Sequence, residues 1–136
     1  MVRLNWGDGK GVRANVMTPR ERGKKLKIAY SYNMDGSVDR KLKIEVSSRC
    51  AGQAFREKAP TIVDLSKAEH GDYLVNPKKV WDRMACVLSV PIFDSEGERA
   101  VGVLSVDSSS PIEVLELDEK LPFVNMFADL IGNQIE

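Results

Sequence analysis

The segment from Cys50 to Val106 constrains the fold of this chain more than any other. It opens with Cys50 to Phe55 (CAGQAF), where Ala51, Ala54 and Phe55 share one face at helical spacing. Pro60 stops that pattern, and Thr61 to Leu65 (TIVDL) is β-branched and strand-like. An irregular connection, 66–83, follows. Val87 to Phe93 (VLSVPIF) and Val101 to Val106 (VGVLSV) are apolar runs joined by a polar Asp94 to Glu98 loop, which makes them a hairpin. The order is therefore helix, strand, long connection, hairpin. A connection of that length between anchored strands is where small molecules are commonly held. The segment carries no complete catalytic constellation.

The flanks repeat the antiparallel theme. Gly7 to Gly11 (GDGKG) is a turn cluster; it lacks the order of a phosphate-binding loop and no helix follows it. Val12 to Met17 is a strand, and Thr18 to Gly23 a polar turn. From Lys24 to Met34, Leu26, Ile28, Tyr30 and Tyr32 alternate with Lys25, Lys27, Ala29 and Ser31, so period two places the first set on one face. Leu42 to Val46 is a brief extended piece. Ser47 or Ser48 is the expected N-cap of the helix over Cys50 to Lys58. Leu117 to Ile135 carries Leu121, Val124, Phe127, Ala128, Ile131 and Ile135 as a helical stripe, with Pro122 in its first turn. Together these elements predict an α+β domain: one antiparallel sheet of five to six strands flanked by helices, residues 1–136 forming a single unit.

Charge narrows the partners. Twenty basic and twenty acidic residues cancel, which removes any global pull towards nucleic acid or an anionic bilayer. The basic residues from Arg20 to Lys43 are not interleaved with stacking aromatics, so they read as solvated surface. No apolar run reaches the ~20 residues that span a bilayer. The first residues do not form a secretory signal, and the two cysteines read as reduced thiols in a cytoplasmic chain.

Six residues are candidates for a binding site: Cys50, Ala51, Asp64, Asp72, Tyr73 and Trp81. Cys50 falls at a helix start, where a thiol gains reactivity; a packed core thiol is the simpler reading. Cys86, inside an apolar strand, reads as core. Tyr73 and Trp81 on the long connection are either a pocket wall or pegs that pin the connection to the sheet. Asp64 and Asp72 are rim hydrogen-bond acceptors or turn residues. The backbone N–H groups expected at the start of the Cys50 helix suit an anionic or carbonyl-bearing ligand. The single histidine, His70, has no partners at metal-ligand spacing, so no metal and no catalytic residue is assigned.

The chain resembles a GAF domain. The matching residues are Arg13 to Met17, Cys50 to Ala54, Thr61 to Leu65, Ser89 to Ile92 with Val101 to Val106, and the closing helix. The resemblance implies a non-catalytic module of a signalling protein that binds a small molecule or holds a dimer together through its terminal helices, with an output domain elsewhere in the parent protein. It leaves ligand and cofactor unknown. The long helix that usually opens this family has no counterpart before Val12, which implies a segment excised from a longer protein. Cysteines in the pocket connection, which family members that reduce free methionine sulfoxide use, are absent from 66–83. Cys50 and Cys86 would have to approach each other in space to replace them.

Overall fold

The computed structural model describes residues 12–32, 43–64, 86–108 and 117–135. Among them the strands are β1 (Val12–Arg20), β2 (Lys25–Tyr32), β3 (Lys43–Glu45), β4 (Thr61–Asp64), β5 (Cys86–Phe93) and β6 (Ala100–Ser108). The helices are α1 (Ala51–Glu57), between β3 and β4, and α2 (Leu117–Ile135), after β6. The six strands form one sheet in the order β3-β2-β1-β6-β5-β4, and every neighbouring pair is antiparallel. This is the expected fold class. No helix among the described residues is long and apolar enough to cross a membrane.

The pleat distributes side chains between two faces. Val16, Leu88, Val90 and Ile92 point to one face and bury against Val124 and Ala128 of α2. Met17 and Val103 point to the other, where they join Leu26 and the Ala51 and Ala54 methyls of α1. β5 lies between both layers, so it is buried from Cys86 to Ile92, apolar towards α2 and interrupted by Ser89 towards α1. Each large aliphatic side chain fully buried in this way contributes about 1.5–3 kcal/mol. Gly132 lets α2 approach closely: a Cβ there would collide with the Phe93 carbonyl oxygen.

Four local expectations are corrected. Tyr30 and Tyr32 do not share a face with Leu26 and Ile28. Val16 pairs with Tyr30 and Met17 with Ile28, so Ala29 is an extra, bulged residue. The bulge inverts the alternation beyond it and leaves both tyrosines 70% exposed. Neither Ser47 nor Ser48 caps α1; Cys50 holds the N-cap position without a side-chain bond, and the Ser48 hydroxyl donates to the Glu45 carbonyl at 2.6 Å. β1 runs on through Thr18 to Arg20, and the turn falls at 21–24, with Glu21 and Arg22 at positive φ. Pro122 stands beyond the first turn of α2. The α2 stripe holds where it is described: Val124 and Ala128 are buried, and Leu121, Phe127 and Ile131 half-buried.

Candidate functional site

The α1 face of the sheet carries three rows that cross β1, β6 and β5, two of which reach β4. The row nearest the hairpin loop is apolar: Met17, Val103 and Pro91. The middle row is polar throughout. Asn15 pairs with Ser105, Ser105 with Ser89, and Ser89 with Thr61. The third row pairs Arg13 with Asp107, then Val87 and Val63. Four polar residues side by side inside a sheet are costly unless their atoms find partners.

Most of them do. Ser89 Oγ and Ser105 Oγ are 2.8 Å apart, and Ser89 Oγ is 3.2 Å from Cys50 Sγ. The Cys50 thiol donates in turn to the Val87 carbonyl at 3.8 Å. Thr61 Oγ1 donates to the Cys50 carbonyl at 2.9 Å, and the Ala54 N–H donates to the same oxygen at 2.8 Å. In the next row Arg13 Nε meets Asp107 Oδ1 at 2.8 Å and Arg13 Nη2 meets Asp107 Oδ2 at 3.4 Å. That side-on pair places a cation and an anion together under the sheet surface, with side chains 15% and 7% exposed. One atom is left over. Asn15 Oδ1 is buried and has no hydrogen-bond partner.

Cys50 thus sits at the junction of α1 and this band. Its backbone has φ 62 and ψ −106, a region L-residues rarely adopt. The twist turns the side chain down onto β5 rather than outward to cap α1. Ala51 packs in the apolar cluster with Met17, Leu26 and Val103. Asp64 closes β4 opposite Cys86, and the expectation for its side chain lies outside the described residues. Asp72, Tyr73 and Trp81 also lie outside them, as does His70.

Neither cysteine is in a disulfide, both are buried, and the sheet separates them. Cys50 Sγ touches Ser89 on the α1 face, whereas Cys86 packs with Val12 and Val106 on the opposite face. A bond between them would require one to pass through the strand layer.

Sequence reasoning passed over Arg13, Asn15, Ser89, Ser105 and Asp107. A signal was available: Asn15, Ser89 and Ser105 each interrupt a local apolar run. The register that aligns the three interruptions into one row is a tertiary fact.

On the α2 face a groove of about 880 Å³ opens between the helix and the first hairpin. Val16, Ala29, Tyr30, Phe127, Leu130 and Ile131 line it.

This arrangement, a six-stranded antiparallel sheet with a short helix over one face and a long helix over the other, agrees with the family comparison. The GAF domain model matches residues 12–135. The chain belongs to the GAF domain family. Solved GAF-fold structures superpose on it at low identity. A structure described as the GAF domain gives a TM-score of 0.66 at 18% identity, covering 88% of this chain and 62% of that one. The GAF domain of A. aeolicus nlh2 in an inactive state gives 0.65 at 17% identity, covering 88% and 70%. The type II free methionine-R-sulfoxide reductase of Thermoplasma acidophilum gives 0.66 at 16% identity, covering 88% and 75%. At these identities the likeness is one of fold. The chain spans less than two thirds of the length of the first of these structures. Comparison with curated proteins found no match.

Proposed function

We propose that this GAF domain is a non-catalytic regulatory module that binds a small molecule against the α1 face of its sheet. The observation that carries the reading is Asn15 Oδ1, an acceptor buried in a polar row with nothing to accept from. A buried orphan of this kind destabilises by about 1–3 kcal/mol, and a ligand donor at that point removes the penalty. Tyr73, Trp81, Asp64 and Asp72 are the proposed cover and rim, with Cys50 and Ala51 at the opposite wall. Binding there reaches α2 because β5 packs against both layers, and a ligand shifts α2 by no more than its differential affinity for two placements. The partners in this reading are the small molecule and an output domain of a cytoplasmic parent protein, not nucleic acid or a membrane. A thermal-shift panel of metabolites tests it: a raised midpoint that Asn15→Leu abolishes supports it, and a flat panel removes it.

One observation favours a second reading, a ligand-free dimerisation module. Phe123, Met126 and Leu130 of α2 are 48%, 40% and 54% exposed. Their i, i+3, i+7 spacing makes a seam that a second terminal helix would cover. Sedimentation of the chain and of Leu130→Glu in parallel with the panel separates the two. A thiol reductase is the remaining alternative, since the similar structures include free methionine-R-sulfoxide reductases. The placement of Cys50 and Cys86 on opposite faces argues against a resolving thiol pair. Incubation with free methionine sulfoxide and a reductant is expected to leave the sulfoxide unchanged.

A further inference from the structure

One helix does not cover the whole α2 side of the sheet. α2 packs on β5 and β6, and towards the first hairpin it leaves the groove of about 880 Å³. That volume lies within the range of about 300–1,000 Å³ that small-molecule sites occupy. Ala29 and Tyr30 form the hairpin wall, and Phe127, Leu130 and Ile131 the helix wall. Tyr30 is 70% and Leu130 54% exposed, so hydrocarbon on both walls stands open to water. The groove is also elongated. From Val16 to Arg20 it follows four residue steps of β1, roughly 13 Å at the rise of an extended strand.

Its polar residues gather at one end. Thr18, Arg20 and Gln134 line the groove together with the apolar walls. β1 runs towards the start of β6, so Arg20 lies on the side of the β5–β6 loop. α2 reaches that side at Gly132, against the Phe93 carbonyl, two residues before Gln134. Arg20 is held in a defined way. Its Nη1 donates to Thr18 Oγ1 and to the Pro19 carbonyl, each at 2.9 Å, which commits both hydrogens of that nitrogen. The Nε and Nη2 hydrogens remain, and that edge is the one a carboxylate takes side-on with two parallel bonds.

A second cation stands beside it. Lys27 is the direct cross-strand partner of Thr18, so it shares the groove's face of the sheet. Lys25 and Lys43 are engaged by Glu21 and Glu45, whereas neither Arg20 nor Lys27 has an ion-pair partner among the described residues. Two unmatched positive charges outweigh the partial negative charge, about half a unit, at the carbonyl end of α2. We propose that this groove is a second ligand site and takes a linear alkyl carboxylate, its chain lying between Tyr30 and Phe127 and its carboxylate on the open edge of Arg20 with Lys27 alongside. The site is on the opposite side of the sheet from Asn15, so it stands or falls independently of the α1-face reading.

The test titrates the whole chain with octanoate, 1-octanol, octylammonium and acetate, each below its micelle-forming concentration. NMR follows the Ala29 and Ile131 methyl resonances in the groove and the Asn15 side-chain amide on the other face. Octanoate is expected to move the two methyls and leave Asn15 in place. Octanol is expected to bind more weakly, octylammonium more weakly still, and acetate not at all. Arg20→Gln, at an exposed position, is expected to weaken octanoate about fivefold while leaving octanol unchanged, the loss of one net polar interaction. Leu130→Gln, also exposed, is expected to weaken both. Equal binding of octanoate and octylammonium overturns the carboxylate assignment. So does an Arg20→Gln variant that binds octanoate as the parent chain does. Methyls that no probe moves, or that move only when the protein itself is diluted, overturn the site, the second result assigning the groove to another copy of the chain. A shift confined to Asn15 supports the α1-face reading and overturns this one.

Discussion

The two faces of the sheet are made by alternate residues of the same strands, yet they are built for different ends. On the α2 face Val16, Leu88, Val90 and Ile92 meet Val124 and Ala128, and the contact is apolar throughout. On the α1 face the same strands present Asn15, Ser89 and Ser105, with the Arg13–Asp107 pair beside them. The first arrangement holds the domain together by removing hydrocarbon from water. The second gives up that gain over a full row and replaces it with oriented polar atoms, one of which is unpartnered. A row that gives up burial in this way is specialised for recognition, and a contact that does not is specialised for stability.

If that division holds, neighbouring residues on one strand respond unequally. Leu88→Ala should cost about 2–5 kcal/mol, because Leu88 is fully buried against α2 and its removal leaves a cavity. Ser89→Ala, one residue on, should cost only about 1 kcal/mol for the hydrogen bonds to Ser105 and Cys50. Denaturant midpoints of the two variants measure both. Equal losses would mean that the polar row is as structural as the apolar one.

Arg13 sharpens the same contrast from within the polar face. Arg13→Met removes the cation and leaves Asp107 under the surface, which should cost about 3 kcal/mol. The double replacement Arg13→Met with Asp107→Leu should recover most of that loss, since an apolar pair fits a buried site at little cost. If the double variant stays as unstable as the single one, the carboxylate holds other groups in place, and the row is a scaffold rather than a neutralised floor.

The sequence exposed the apolar face far better than the polar one. The fold class, the α1 helix, the terminal hairpin and the helix over 117–135 follow from local periodicity, and each is present. Periodicity failed at Ala29, because a bulge is set by pairing with β1 and leaves no mark on alternation. The cap expectation failed at Ser48 because the helix starts at Ala51 with Cys50 in the N-cap position, while the Ser48 hydroxyl donates to the Glu45 carbonyl. The polar row was invisible for a related reason. Asn15, Ser89 and Ser105 are far apart in the chain, and only strand register aligns them. Attention went instead to the connection at 66–83, where loop composition gives a signal without register.

Gly132 tests how tightly the stabilising face is closed. An added Cβ meets the Phe93 carbonyl oxygen, backbone that cannot swing aside. Gly132→Ala should therefore lift the end of α2 and cost about 1–3 kcal/mol, although alanine is the better helix former by about 1 kcal/mol. Its effect on ligand binding at Asn15 decides whether the faces communicate. Unchanged stability with altered binding would show that α2 already has a second placement within reach.

The smallest expected effect lies in the β5–β6 loop. Asp94 Oδ1 accepts from the Glu98 N–H at 3.0 Å and from the Arg99 N–H at 3.3 Å. The Glu98 bond first, with help from the Arg99 N–H and charge, holds the Asp94 carboxyl below its ordinary value of 3.8, against the opposing effect of burial. A depressed folded value means that the carboxylate's contribution is present above 3.8 and fades as pH falls through the folded value. Asp94→Asn keeps an acceptor oxygen but removes the charge, so it should flatten the acid end of the stability profile while moving the neutral midpoint less than Ser89→Ala does. Urea midpoints across the acid range read the slope directly. Because the loop belongs to neither layer, the same variant should bind a ligand at Asn15 as the parent chain does; a changed affinity would extend the recognition face around the end of the hairpin.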